Sequence, residues 1–92
     1  MQPLSPSQIE ELLPSVEGWQ YQENALCKSF IFKDFRRSIA FMVQVGFEAE
    51  ELGHHPEMTN VYNRVALRLT THDAGNCVTH LDMQLAEKIN QL

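Results

Sequence analysis

The chain has little with which to cross-link itself, to grip a polyanion or to enter a bilayer. Its two cysteines, Cys27 and Cys77, are too few for a disulfide framework, and their spacing matches no zinc motif. Cys27 falls among strand-forming residues, where a thiol packs as a small hydrophobe. A basic excess is missing. The formal net charge is −5 with histidine neutral, and displacing counterions from phosphates needs a basic face, so direct nucleic-acid binding is not expected. No apolar stretch approaches the roughly 18 residues that span a membrane. The first residues, Met1-Gln2-Pro3-Leu4-Ser5-Pro6, hold neither the basic nor the apolar segment of a signal peptide. A reduced, cytoplasmic setting is the expectation. GxGxxG, P-loop and HExxH motifs are absent, as are repeats and low-complexity tracts. Neither cysteine has a sequence neighbour that would activate it as a nucleophile.

What is present suits one globular domain over residues 1–92. The hydrophobic fraction of 43% is ordinary, and a core in so short a chain is thin, so oligomer formation would help it. Ser5-Pro6-Ser7-Gln8 is a helix start with a capping box, and Pro14 ends the segment. Gly18 to Tyr21 opens a strand, Glu23-Asn24 is a turn, and Ala25 to Lys33 is a second strand, with Lys28 interrupting its apolar face. Asp34 caps a long helix over about Phe35 to Leu52. Its apolar stripe reads Phe35, Ile39, Met42, Gly46 and Ala49, widened by Val45 and Leu52, with Gly53 as the stop. Met58 to Tyr62 and Val65 to Thr71 read as strands joined by a turn at Asn63-Arg64. Thr79-His80-Leu81-Asp82 opens the last helix, along which Leu81, Leu85, Ile89 and Leu92 recur. The class is therefore α+β in the order α-β-β-α-β-β-α. A four-stranded antiparallel sheet with its helices packed on one face is the expected architecture.

Histidine is the residue type best suited to chemistry here, because its pKa range matches proton transfer at neutral pH. His54 and His55 follow the long helix, and His72 follows the last strand, all in loops held by rigid elements. Glu50 lies one helical turn before His54 and is expected to orient it. Each position also has a plain structural explanation: His54 at a helix C-terminus, Pro56 as a helix stop, Asp82 as the acid of the Thr79 capping box, Tyr62 as a half-buried strand aromatic. Adjacent histidines point apart in an extended chain, so His54 and His55 do not readily share a metal ion.

The order of these residues resembles the pterin-4a-carbinolamine dehydratase family. The resemblance rests on Glu50-Glu51-Leu52-Gly53-His54-His55-Pro56, then Tyr62, then Leu69-Thr70-Thr71-His72-Asp73-Ala74-Gly75, and finally Asp82. With Gly18-Trp19 it extends over nearly the whole chain. Met58 stands where the family often has an aromatic residue, and the loop Gly75-Asn76-Cys77-Val78-Thr79 is one residue longer than the usual Gly-Gly-Leu-Thr. The resemblance implies dehydration of a 4a-hydroxytetrahydropterin, a by-product of aromatic amino-acid hydroxylases, to quinonoid dihydropterin. It implies His54, His55 and His72 as the catalytic set, with Glu50, Pro56, Tyr62, Thr71, Asp73 and Asp82 in support. Pterin would be the substrate, with no metal or cofactor. Homodimers or homotetramers are implied too. The alternatives are a dimerisation or coactivator-type binding protein, or an enzyme acting on another pterin, such as in molybdenum-cofactor metabolism.

Overall fold

A computed structural model describes residues 2–92. Helix α1 (Pro6–Leu12) begins at Ser5, whose hydroxyl accepts from the Gln8 N–H while the Gln8 side chain accepts from the Ser5 N–H. Strands β1 (Gln20–Gln22) and β2 (Ala25–Ile31) are joined by Glu23 and Asn24, both at positive φ (48° and 64°). That is the backbone of a two-residue hairpin turn whose twist matches its strands. Asp34 caps α2 (Phe35–Leu52), accepting from the Arg37 N–H. Strands β3 (Glu57–Val61) and β4 (Arg64–Leu69) follow, and α3 (His80–Asn90) closes the chain. The sheet order is β1-β2-β4-β3 with every pair antiparallel. Leu26, Val65, Leu67 and Leu69 from one face of the sheet form a single core with Ile9, Val45, Ala49, Leu85 and Ile89 of the helices. The sequence-derived α+β order is the observed one.

Two local readings change. The β3–β4 turn is Tyr62-Asn63, one residue earlier than the sequence suggests, with Val61 opposite Arg64 and Tyr62 at φ 50°. Asn63 is the cause. Its side chain donates to the Phe32 carbonyl and its own carbonyl accepts from the Phe32 N–H, which ties the turn to the end of β2. The buried face of α2 is also rotated from the expected stripe. Ser38, Phe41, Val45 and Ala49 are buried, whereas Phe35 and Ile39 are exposed. Phe41 packs on Phe30 and Phe32, with ring centroids 4.6 and 4.9 Å away, and this aromatic cluster sets the helix phase. Ser38 tolerates burial because its hydroxyl donates to the Asp34 carbonyl. The half-buried Cys27 thiol lies on the face of β2 opposite the core residue Leu26, and burial pushes its pKa up.

Lys28, the charge on the inner face of β2, escapes along that face. Its ammonium lies over the Phe30 ring and donates to the Glu17 carbonyl and to Asn90 Oδ1. The same Asn90 oxygen accepts from Trp19 Nε1–H at 3.0 Å, and its amide donates back to the Glu17 carbonyl. Asn90 thus fastens the end of α3 to the first hairpin. Asn90→Ala is expected to lower stability by about 1–2 kcal/mol, since it strands the indole donor and removes one of the two acceptors of the Lys28 ammonium. Urea unfolding followed by fluorescence of the single tryptophan measures this, and an unchanged midpoint would show the fastening to be idle.

Candidate active site

The carboxyl end of α2 delivers the first histidine. Gly53 takes the left-handed conformation (φ 63°), and the N–H groups of Gly53 and His54 return to the carbonyls of Glu50 and Ala49. This double closure stops the helix and turns the His54 ring inward, leaving the residue 8% exposed. There His54 Nε2 meets Oδ1 of the fully buried Asp82 at 2.5 Å. Pro56 then keeps His55 extended and leads the chain into β3.

Asp82 is the third residue of α3, and its other oxygen closes the capping box by accepting from the Thr79 N–H at 2.9 Å. That oxygen also accepts the Thr71 hydroxyl at 2.8 Å. Thr71 in turn accepts from the Thr79 hydroxyl (2.7 Å), which accepts from the Leu81 N–H (3.2 Å). Every hydroxyl proton in this chain therefore has one destination, and the carboxylate accepts from three donors. As the carboxylate only accepts, His54 is the donor through Nε2–H. Among the described residues no buried side-chain nitrogen or oxygen lacks a partner, and His54 Nδ1 bonds to none of them. Nδ1 is thus the nitrogen that reaches the surface.

The second strand of the site ends in a pinned loop. The Thr71 N–H donates to the Cys77 carbonyl, and a 3-10 turn over His72–Ala74 follows. His72 is exposed, with Nδ1 3.2 Å from Asn76 Oδ1. His54, His55, Thr71, His72, Asp73 and Leu81 line one open cleft of about 350 Å³. That is at the lower end of small-ligand sites.

The expected site residues do not all take their expected places. Glu50 contacts His55, not His54: its Oε1 is 2.8 Å from His55 Nε2, with both side chains exposed. The Schellman closure swings His54 under the helix and leaves His55 on the Glu50 side. Tyr62 is 62% exposed in the β3–β4 turn, at the far end of β3 from His55, so within one chain it lies outside the cleft. Thr79, Leu81 and Asn76 were not singled out for the site, although the Thr79-x-x-Asp82 spacing gave a signal for the first. Among the described residues, no group of three or more His, Cys, Asp or Glu is placed to hold a metal, and no helix is long and apolar enough to cross a membrane.

Asp82→Ala would leave three donors without their acceptor. It is expected to cost about 3 kcal/mol in chemical denaturation, well above the roughly 1 kcal/mol typical of losing a helix cap alone. A loss near 1 kcal/mol would mean that the carboxylate serves α3 only.

Residues 2–92 match the family model described as pterin 4 alpha carbinolamine dehydratase. A protein of Opitutus terrae, provisionally named a pterin-4-alpha-carbinolamine dehydratase, is 45% identical over 89 residues, covering 97% of this chain and 92% of that protein. One from Sulfolobus acidocaldarius with the same provisional name is 43% identical, covering 97% of each chain. The crystal structure of a transcriptional coactivator/pterin dehydratase from Brucella melitensis superposes with a TM-score of 0.91 at 43% identity, covering 98% of this chain and 97% of that one. A whole-chain match in sequence and a near-complete match in fold leave one assignment: this chain belongs to the pterin 4 alpha carbinolamine dehydratase family.

Proposed function

We propose that the chain dehydrates a 4a-hydroxytetrahydropterin to quinonoid dihydropterin and water, recycling the pterin used by aromatic amino-acid hydroxylases. The observation that carries the reading is the convergence of three imidazoles, from two separate loops, on one cleft. The C4a–O bond breaks as the hydroxyl takes a proton and departs as water. The N5 proton is removed, and the electron pair left behind forms the C4a=N5 bond. His54 and His72 exchange these protons, and His55 holds and polarises the hydroxyl. The Asp82 contact fixes the His54 ring so that Nδ1 faces substrate. Glu50 supports His55 in the same manner from the surface. Each proton-transfer group is expected to contribute about 10²–10⁴-fold. Stopped-flow dehydration should therefore fall by that factor in His54→Ala and in His72→Ala, with circular dichroism showing both folded. Wild-type protein that fails to exceed the spontaneous loss of water would end the dehydratase reading.

The outer face of α2 supports an assembly as well. Phe35, Ile39, Val43 and Phe47 are all exposed, Phe47 to 71%, and form a continuous stripe at four-residue spacing. A second copy of this chain fits it. With a twofold axis at Val43, antiparallel helices set Ile39 against the second copy's Phe47 and Arg36 against its Glu50. Light scattering is expected to give a dimer or tetramer for the wild type and a smaller species for Phe47→Glu. A monomeric wild type at micromolar concentration would remove the proposal and favour a different protein as occupant, the binding-protein alternative.

A further inference from the structure

Each of the three imidazoles has one nitrogen already engaged, and the partners differ in kind. His54 has a buried carboxylate, His55 an exposed carboxylate, and His72 a neutral amide. The amide belongs to Asn76, in the loop that is one residue longer than the usual family form. Asn76 adopts the left-handed conformation (φ 60°), which asparagine tolerates better than most residues. Its N–H donates to the Thr71 carbonyl at 3.1 Å, and the Gly75 N–H donates to the His72 carbonyl at 3.0 Å. The Thr71 N–H donates across the loop to Cys77 at 2.9 Å. These bonds bend the chain back on itself and return the Asn76 side chain to the His72 ring.

We infer that Asn76 is a positioning residue that holds neutral His72 as the Nδ1–H tautomer, leaving the Nε2 lone pair to accept the proton from pterin N5. The catalytic half of this inference rests on the dehydratase reading, whereas the tautomer does not. The chemistry of the two amide orientations favours it. With Oδ1 on Nδ1–H, the contact survives when Nε2 takes a proton, because Nδ1 remains a donor in the imidazolium. The reverse orientation, an amide N–H on a bare Nδ1, would hold the Nε2–H form, which has no free lone pair to offer at Nε2. It would also turn to donor against donor once the ring is charged. A neutral amide further distinguishes His72 from the two carboxylate-bound rings, adding no charge of its own beside the neighbouring Asp73.

Two variants separate the side chain from the turn. Asn76→Gly keeps the left-handed backbone without strain and removes the oxygen, and Asn76→Asp keeps an oxygen acceptor. Long-range ¹H–¹⁵N spectra of labelled, substrate-free protein at alkaline pH, where imidazoles are neutral, read the tautomer directly. The expected result is Nδ1–H at His72 in the wild type and in Asn76→Asp, with a shift to mainly Nε2–H in Asn76→Gly. Stopped-flow dehydration should show kcat reduced about three- to tenfold in Asn76→Gly, the range of an ordinary hydrogen bond, with KM little changed. A wild-type Nε2–H tautomer, or a Gly variant with an unaltered tautomer, overturns the inference. A shifted tautomer with undiminished kcat overturns the positioning role. Because the spectra need no turnover, an absence of dehydratase activity would be recognised as failure of the proposed function alone.

Discussion

A fully buried carboxylate organises one end of this molecule. An acid taken out of water costs several kcal/mol unless its oxygens are met by donors, and Asp82 meets His54, Thr71 and the Thr79 N–H. These donors come from the exit of α2, the end of β4 and the start of α3. Satisfying one side chain therefore requires three chain segments to converge at a single point. The cleft lies there because those are also the segments that end in His54 and lead into His72. Convergence and chemistry have one cause.

The three imidazoles stand on very different supports. His54 is nearly buried, packed beneath a helix terminus and fixed by the carboxylate. His55 and His72 are exposed, each held by one hydrogen bond at the surface. One ring is thus held from within the protein and two from its surface, on the same cleft. The opposite end of the sheet has its own polar anchor. Asn90 joins Trp19, Lys28 and the Glu17 carbonyl, so that α3 is tied at its start to β4 and at its end to the first hairpin.

Local chemistry was legible in the sequence, and long-range chemistry was not. Ser5 with Gln8, Thr79 with Asp82, and Asp34 before α2 announced their helices, because a cap and its partner lie within one turn. The two hairpins followed from alternation in β4 and from a two-residue turn at Glu23-Asn24, whereas the pairing of β2 with β4, which joins them into one sheet, was not written in any local pattern. The phase of α2 did not follow, because the helix is apolar on two faces and periodicity cannot say which one meets the sheet. The Phe41 contact with Phe30 and Phe32 decides it across the core. Glu50 looked like the partner of His54 by spacing, but a left-handed Gly53 rotates everything after it. The true partner, Asp82, lies 28 residues on. The capping box gave Asp82 a complete explanation by itself, and its second carboxylate oxygen was left over for His54.

That economy ties the site to the most fragile part of any helix. First turns fray more readily than helix centres, and here the first turn of α3 contains the acid that fixes His54. Opening it would release the ring, the Thr71 hydroxyl and the helix cap together, with the sheet still intact. The order of the cleft thus depends on residues 79–82 staying wound, and the capping box and the burial of Thr79 and Asp82 hold them so.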